Sequence, residues 1–270
     1  MAALSGFRDK TVWVTGASSG IGRALAFAFA AAGARCILSA RNAEQLEACR
    51  TEIVDRHGTD ALVLPLDLES PATFPDAVRA AVSWRGGVDC LVNNAGLGMR
   101  TLALETPLEM DRRIMEVNYF GPIALTKALV PHMIARGGGR VAAITSVMGK
   151  FGACRRSAYA ASKHALHGFF ESLRAELWEK NIRVSLICPG YVRTDISRRA
   201  LRSDGTAHGQ MDAGQEKGLA PEVCAGRILR ALEQGRDEAY IGGLEVGGIY
   251  LFRLFPGLMR RILRGKDISG

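Results

Sequence analysis

Apolar, β-branched runs alternate along this chain with longer stretches in which apolar residues recur every three or four positions. The strand candidates are TVWVTG from Thr11, RCILSA from Arg35, ALVLPLDL from Ala61, VDCLVNNAG from Val88, GRVAAIT from Gly139, IRVSLICPG from Ile182 and, with a weaker pattern, EAYIGG from Glu238. Helical patterns fill the intervals. Ala24 to Gly33 reads ALAFAFAAAG, and Leu46, Ile53 and Val54 form a stripe within Ala43 to Gly58. Gly33 and Gly58 are placed to cap these helices at their C-terminal ends. A third helix is predicted from a Ser157 cap to about Lys180, with Leu166, Phe169, Phe170, Leu173 and Leu177 as its buried face. Repeated strand–helix–strand units with right-handed crossovers build an α/β fold, a doubly wound parallel sheet of about seven strands with helices on both faces. Near-continuous apolar strands suit a sheet buried on both sides.

The chain has 270 residues, 48% of them hydrophobic and 23% charged, which is the composition of a globular protein and excludes a disordered or collagen-like one. No linker or repeat divides it, so residues 1–270 are expected to form a single domain. Two regions break the rhythm: a polar, Gly-rich stretch from Thr194 to Ala220, expected to be a mobile lid, and a C-terminal extension over about 244–270. No apolar run approaches the ~20 residues of a membrane span. MAALSGFRDK lacks the apolar core of a signal peptide. Cys36, Cys49, Cys90, Cys154, Cys188 and Cys224 are scattered without a C-x-x-C pair, and His132, His164, His167 and His208 have no metal-ligand spacing. A cytoplasmic protein with no metal is expected. The net charge of +8 favours anions, but no nucleic-acid-binding motif accompanies it.

TVWVTGASSGIGRAL places Gly16, Gly20 and Gly22 between the first strand and a helix, with Ser18, Ser19 and Ile21 among them. Glycine permits close backbone approach, and the free N–H groups of a helix start suit a diphosphate. After the first strand of a doubly wound sheet, this is where a Rossmann fold binds a dinucleotide. The second strand ends CILSARN. Ala40 offers no carboxylate to the ribose, and Arg41 would attract a 2′-phosphate, so NADP(H) is preferred to NAD(H).

In SAYAASKHALHGF, Tyr159 and Lys163 share one helix face. An ammonium one turn away is expected to lower the phenol pKa and ready it for proton transfer at a carbonyl or alcohol oxygen. Ser146, ending the strand AAITS, could hold the same oxygen.

The motifs TGASSGIG, Asp67–Leu68, NNAG, Asn118 of EVNYFG, Ser146, YAASK and Pro189–Gly190 occur in this order, and from Thr11 to about Thr194 the chain resembles the short-chain dehydrogenase/reductases. The resemblance implies a catalytic tetrad of Asn118, Ser146, Tyr159 and Lys163. It implies that Lys163 binds the nicotinamide ribose, that Asn118 holds a relay water, and that Asp67, with Leu68, meets the adenine. Asn93, Ala95 and Gly96 would line the cofactor, and Pro189, Gly190, Val192 and Thr194 would contact its nicotinamide end. The SAR-type second strand resembles NADP-dependent carbonyl and steroid reductases. The part from Met211 through the tail resembles a membrane-associated branch of these, whose members usually carry an N-terminal anchor. A homodimer or homotetramer acting on a small carbonyl or alcohol substrate is the family's habit.

Two local readings stay open. Cys154, Arg155 and Arg156 precede the catalytic helix: one arginine faces the pocket and favours an acidic or polar-headed carbonyl, or both are a solvated pair at a subunit rim. IYLFRLFPGLMRRILRGK, Ile249 to Lys266, either packs on its own domain with arginines outward, meets another subunit, or makes weak contact with a membrane surface. The alternatives to an NADP(H)-linked carbonyl/alcohol oxidoreductase are a non-catalytic dinucleotide sensor or scaffold, and an NAD-linked sugar-nucleotide epimerase or dehydratase.

Overall fold

Seven strands pair into one parallel sheet in the computed structural model, which describes residues 6–264. They are β1 (Thr11–Thr15), β2 (Arg35–Ser39), β3 (Ala61–Val63), β4 (Cys90–Asn93), β5 (Gly139–Ile144), β6 (Ile182–Pro189) and β7 (Glu238–Ile241). Their spatial order is β3-β2-β1-β4-β5-β6-β7, so the chain reverses direction across the sheet between β1 and β4. The loops after β1 and β4 therefore diverge and leave a crevice at the carboxyl edge.

Alternate residues of each strand feed two cores. Val12 and Val14 join Leu25 and Phe29 of α1 (Gly20–Ala31), Leu46 and Ile53 of α2 (Ala43–His57), and distant Ile228 and Leu229. Trp13 and Leu91 join Phe74 of α3 (Phe74–Ser83), then Leu125, Leu129 and Phe170. Burying each such side chain contributes about 1.5–3 kcal/mol, which is why a sheet covered on both faces dictates the whole layout.

Two predicted boundaries shift. ALVLPLDL yields only a three-residue β3, because this is the edge strand and Pro65 has no N–H for the ladder. Ser157 is the first helical residue rather than the cap; Arg156 occupies the cap position and its carbonyl accepts from Ala160 N at 2.7 Å. Of the predicted stripe, Leu166 and Phe170 are buried while Phe169, Leu173 and Leu177 are half-buried. Between α4 (Leu108–Met115) and α5 (Gly121–Ala135) lies one turn of π-helix, Glu116–Phe120, which no sequence pattern announced.

After α6 (Ser157–Leu177), residues 194–220 cross the carboxyl edge. Despite their polar pattern they have definite anchors. Leu201 bridges to Met99 and Ala207, Val192 to Leu219, and Asp212, just before the short α7 (Ala213–Glu216), is buried. Following α8 (Pro221–Glu233), the chain ends in α9 (Gly247–Leu254) and α10 (Pro256–Leu263), which pack on Val147, Met148 and Phe151. Residues 1–5 and 265–270, including Lys266 of the predicted extension, lie outside the described residues. Among the described residues no helix is long and apolar enough to cross a membrane.

Candidate active site

A cleft of about 640 Å³ runs along the carboxyl edge of the sheet. Its walls include Gly16, Ser18, Ser19, Gly20, Ile21, Arg41, Asp67, Leu68, Ala95, Gly96, Pro189, Gly190, Val192 and Thr194, from loops after five different strands. Gly16 has φ +69°, and a Cβ there would lie 2.9 Å from Asn94 Nδ2. The backbone of the turn thus approaches the β4 loop more closely than any side chain would allow. The first turn of α1 holds no acidic residue, and the Ser19 hydroxyl caps no helix N–H but accepts from Arg199 Nη1 at 3.2 Å, so the positive helix end is left open to an anion. These features fit the diphosphate of a dinucleotide.

Three expected cofactor residues do not line the cleft: Gly22, Asn93 and Lys163, which lies behind Tyr159. A Cβ on Gly22 would lie 2.2 Å from the Gly16 carbonyl oxygen, so this glycine packs α1 against its own turn. Asn93 is buried and its amide donates to Thr126 Oγ1 at 2.9 Å, tying β4 to α5. The neighbouring Asn94, within the same NNAG motif, does line the cleft, with Nδ2 donating to the Thr15 carbonyl at 2.9 Å. Arg41 stands exposed at the mouth, 4.0 Å from Glu69, which also accepts from Arg113 Nε at 3.1 Å. Glu69 and Arg113 were invisible as partners because α4 comes 44 positions after the loop it meets.

Ser146 and Tyr159 stand where the cleft narrows. Their side chains line it together, and Ser146 Oγ accepts from Met148 N at 3.1 Å, which fixes its direction. Lys163 lies behind, buried, donating to the Ile144 carbonyl at 3.0 Å, with Nζ 5.8 Å from the Tyr159 ring centre. Asn118 sits on the π turn. Its Oδ1 accepts from Leu97 N at 2.7 Å and its Nδ2 donates to Leu97 O and Ser162 Oγ. Lys163 and Asn118 flank the cleft wall at Gly96–Leu97 rather than facing the cleft directly.

The electrostatics correct one expectation. Burial pushes the Tyr159 phenol above its ordinary 10, against the opposing pull of the Ser146 hydroxyl and of the Arg100 and Arg156 guanidiniums. Burial likewise pushes Lys163 down to about 8. Removing both groups from water disfavours phenolate and ammonium alike, and this outweighs the lowering that a one-turn spacing suggested. Behind this helix His167, Cys188 and Glu238 bring three ligand-type atoms within 4.8 Å. There Lys150 Nζ stands 2.7 Å from Glu238, and burial pushes His167 down to about 4, so this histidine is a neutral core residue.

A second cavity of about 330 Å³ opens on the other side of Ser146 and Tyr159. Val147, Met148, Phe151, Met259 and Leu263 give it an apolar wall, and Arg100, Arg156 and Asp212 a polar one. Arg100 Nε lies 3.0 and 3.1 Å from the two Asp212 carboxylate oxygens, and Arg156 donates to the same carboxylate at 3.2 Å and to Met99 O at 3.3 Å. The arginine pair before α6 therefore splits. Arg156 is buried against the cavity, whereas Arg155 is exposed.

This arrangement of a phosphate-binding turn, a Ser–Tyr pair and a lysine behind them can be compared with known proteins. The family model for short chain dehydrogenases matches residues 10–204. The chain belongs to the short-chain dehydrogenase/reductases. As a member of that family it is an oxidoreductase. Among its short-chain dehydrogenase/reductase relatives is a dehydrogenase/reductase SDR family protein 7-like of Anopheles gambiae, 43% identical over 262 residues, spanning 95% of this chain and 83% of the relative. A short-chain dehydrogenase structure from Streptomyces avermitilis is 30% identical with a TM-score of 0.79, covering 96% of this chain and 99% of that one. One from Sphingobium yanoikuyae, in complex with NADPH, is 26% identical with a TM-score of 0.77, covering 96% and 98%.

Proposed function

We propose that this short-chain dehydrogenase/reductase interconverts a carbonyl compound and its alcohol with NADP(H). The observation that carries the reading is the Ser146–Tyr159 pair, which belongs to both cavities at once. One cavity has the turn that fits a diphosphate, and the other is a largely apolar chamber with one polar end. When bound, the nicotinamide supplies or accepts hydride at carbon. The chain's own residues handle the oxygen. Tyr159 moves the proton and Ser146 holds the oxygen in place. The raised phenol pKa keeps Tyr159 protonated at neutral pH, the form that donates a proton to the oxygen of a carbonyl under reduction. Lys163 places a cation behind the phenol, and Asn118 fixes the Leu97 backbone beside it.

Arg41 at the cleft mouth, with no acid at Ala40, supports NADP(H) over NAD(H). Glu69 is shared between Arg113 and Arg41, so it does not cancel that charge. The Sphingobium relative's complex with NADPH supports the same choice. Tyr159→Phe should lower kcat for ketone-dependent NADPH oxidation by about 10²–10⁴ while NADPH still binds in a titration. Undiminished turnover in this variant would leave the enzyme a different acid and defeat the assignment.

A further inference from the structure

We propose that α9 and α10 form a docking face for an anionic lipid bilayer. Their inner residues serve the domain: Ile249 and Met259 are buried against Val147, Met148 and Phe151. Their outer side carries large apolar residues as well. Tyr250 and Leu254 lie one turn apart on α9, Leu258 and Ile262 one turn apart on α10, and Phe255 stands at the corner between the helices. Leu254 is 68% exposed, Phe255 61% and Leu258 49%. Single exposed apolar residues are ordinary, but a cluster on adjoining turns marks an interaction surface. Arg253, Arg260 and Arg261 are exposed on the same two helices and Arg264 just past the second, and no Asp or Glu occurs between Val246 and Arg264.

Charge decides between the two occupants such a surface would take. A second copy of the chain, related by a two-fold axis, lays the patch on itself. Arginine would then oppose arginine with no acid in the segment to separate them, and like charges across a contact are costly. An anionic bilayer presents the complementary arrangement. Guanidiniums meet phosphate and carboxylate headgroups while Leu254, Phe255 and Leu258 enter the acyl boundary. The location adds meaning to the contact. α10 contributes Met259, Ile262 and Leu263 to the wall of the chamber beside Tyr159, and the fully exposed Leu244 lines the same chamber. Docking there sets the chamber against the lipid, so an apolar carbonyl compound would enter from the membrane side. This last step rests on the proposed function, whereas the docking does not.

The test is flotation of the full chain with phosphatidylcholine vesicles containing about 30% phosphatidylserine, beside vesicles of phosphatidylcholine alone. The chain should float with the anionic vesicles and not with the neutral ones, and the floated fraction should fall several-fold near 1 M salt, where the Debye length is about 3 Å. Leu254→Asp/Leu258→Asp and Arg260→Glu/Arg261→Glu should each abolish flotation with an unchanged far-UV circular dichroism spectrum. Absence of flotation at low salt overturns the proposal. So does a wild-type dimer that the same substitutions dissociate without any vesicle binding, which would make the face a subunit contact. Flotation by a chain that oxidises no NADPH would instead sink the catalytic reading and leave the docking face standing.

Discussion

Lys163 carries its charge in a place that disfavours it. Buried, with a carbonyl as its bonded partner, it is pushed down to about 8, so the ammonium is complete below that pH and lost as pH rises through it. If the cation stabilises the phenolate left after Tyr159 donates, carbonyl reduction should be level on the acid side and decline through about pH 8. Lys163→Met should be slow throughout and lack that limb; a pH profile of kcat/KM reads both. At this scale the sequence was legible for side chains whose neighbours are close in the chain. Ser146, Tyr159, Lys163 and the glycine turn stand where their spacing put them. The direction of the Tyr159 shift was not legible, because spacing reports distance while the outcome depends on burial. Asn93 and Asn94 show a related limit. Adjacent strand-end residues point to opposite sides, and only the folded chain tells which one faces the cleft.

Among the elements, the segment over the active site was the least legible. Residues 194–220 lack apolar periodicity because their hold is ionic, through Asp212, whose partners Arg100 and Arg156 lie 112 and 56 positions away. All three side chains are at least nine-tenths buried. Removing one member of such a cluster strands the others without a counter-charge. Asp212→Ala should therefore destabilise the chain by about 3–5 kcal/mol in a denaturant titration. Hydrogen exchange should locate the first opening at residues 194–220, with β1 and β4 protected as before. Uniform loss of protection across the sheet would mean that Asp212 holds the whole fold rather than this strap.

For the whole molecule, the alternation of strands and helices was readable because both faces of the sheet are buried, which forces near-continuous apolar strands. The crevice followed from the strand order, since chain reversal between β1 and β4 parts their loops. A ligand that joins loops from five strands binds only the folded chain and stabilises all of it at once. NADPH at about 100 times its Kd should add about 2.7 kcal/mol. Its thermal upshift should exceed that of NADH at equal concentration, and Arg41→Asp should erase the difference. An unchanged difference would remove Arg41 from cofactor choice. The π turn at Glu116–Phe120 constrains the gene in another way. It takes an extra residue to bring the Asn118 amide round to Leu97. Inserting or deleting one codon along α4 and α5 would swing that amide by about 100°. Spelling there can drift while counting cannot, so a single amide governs the length of an entire rod.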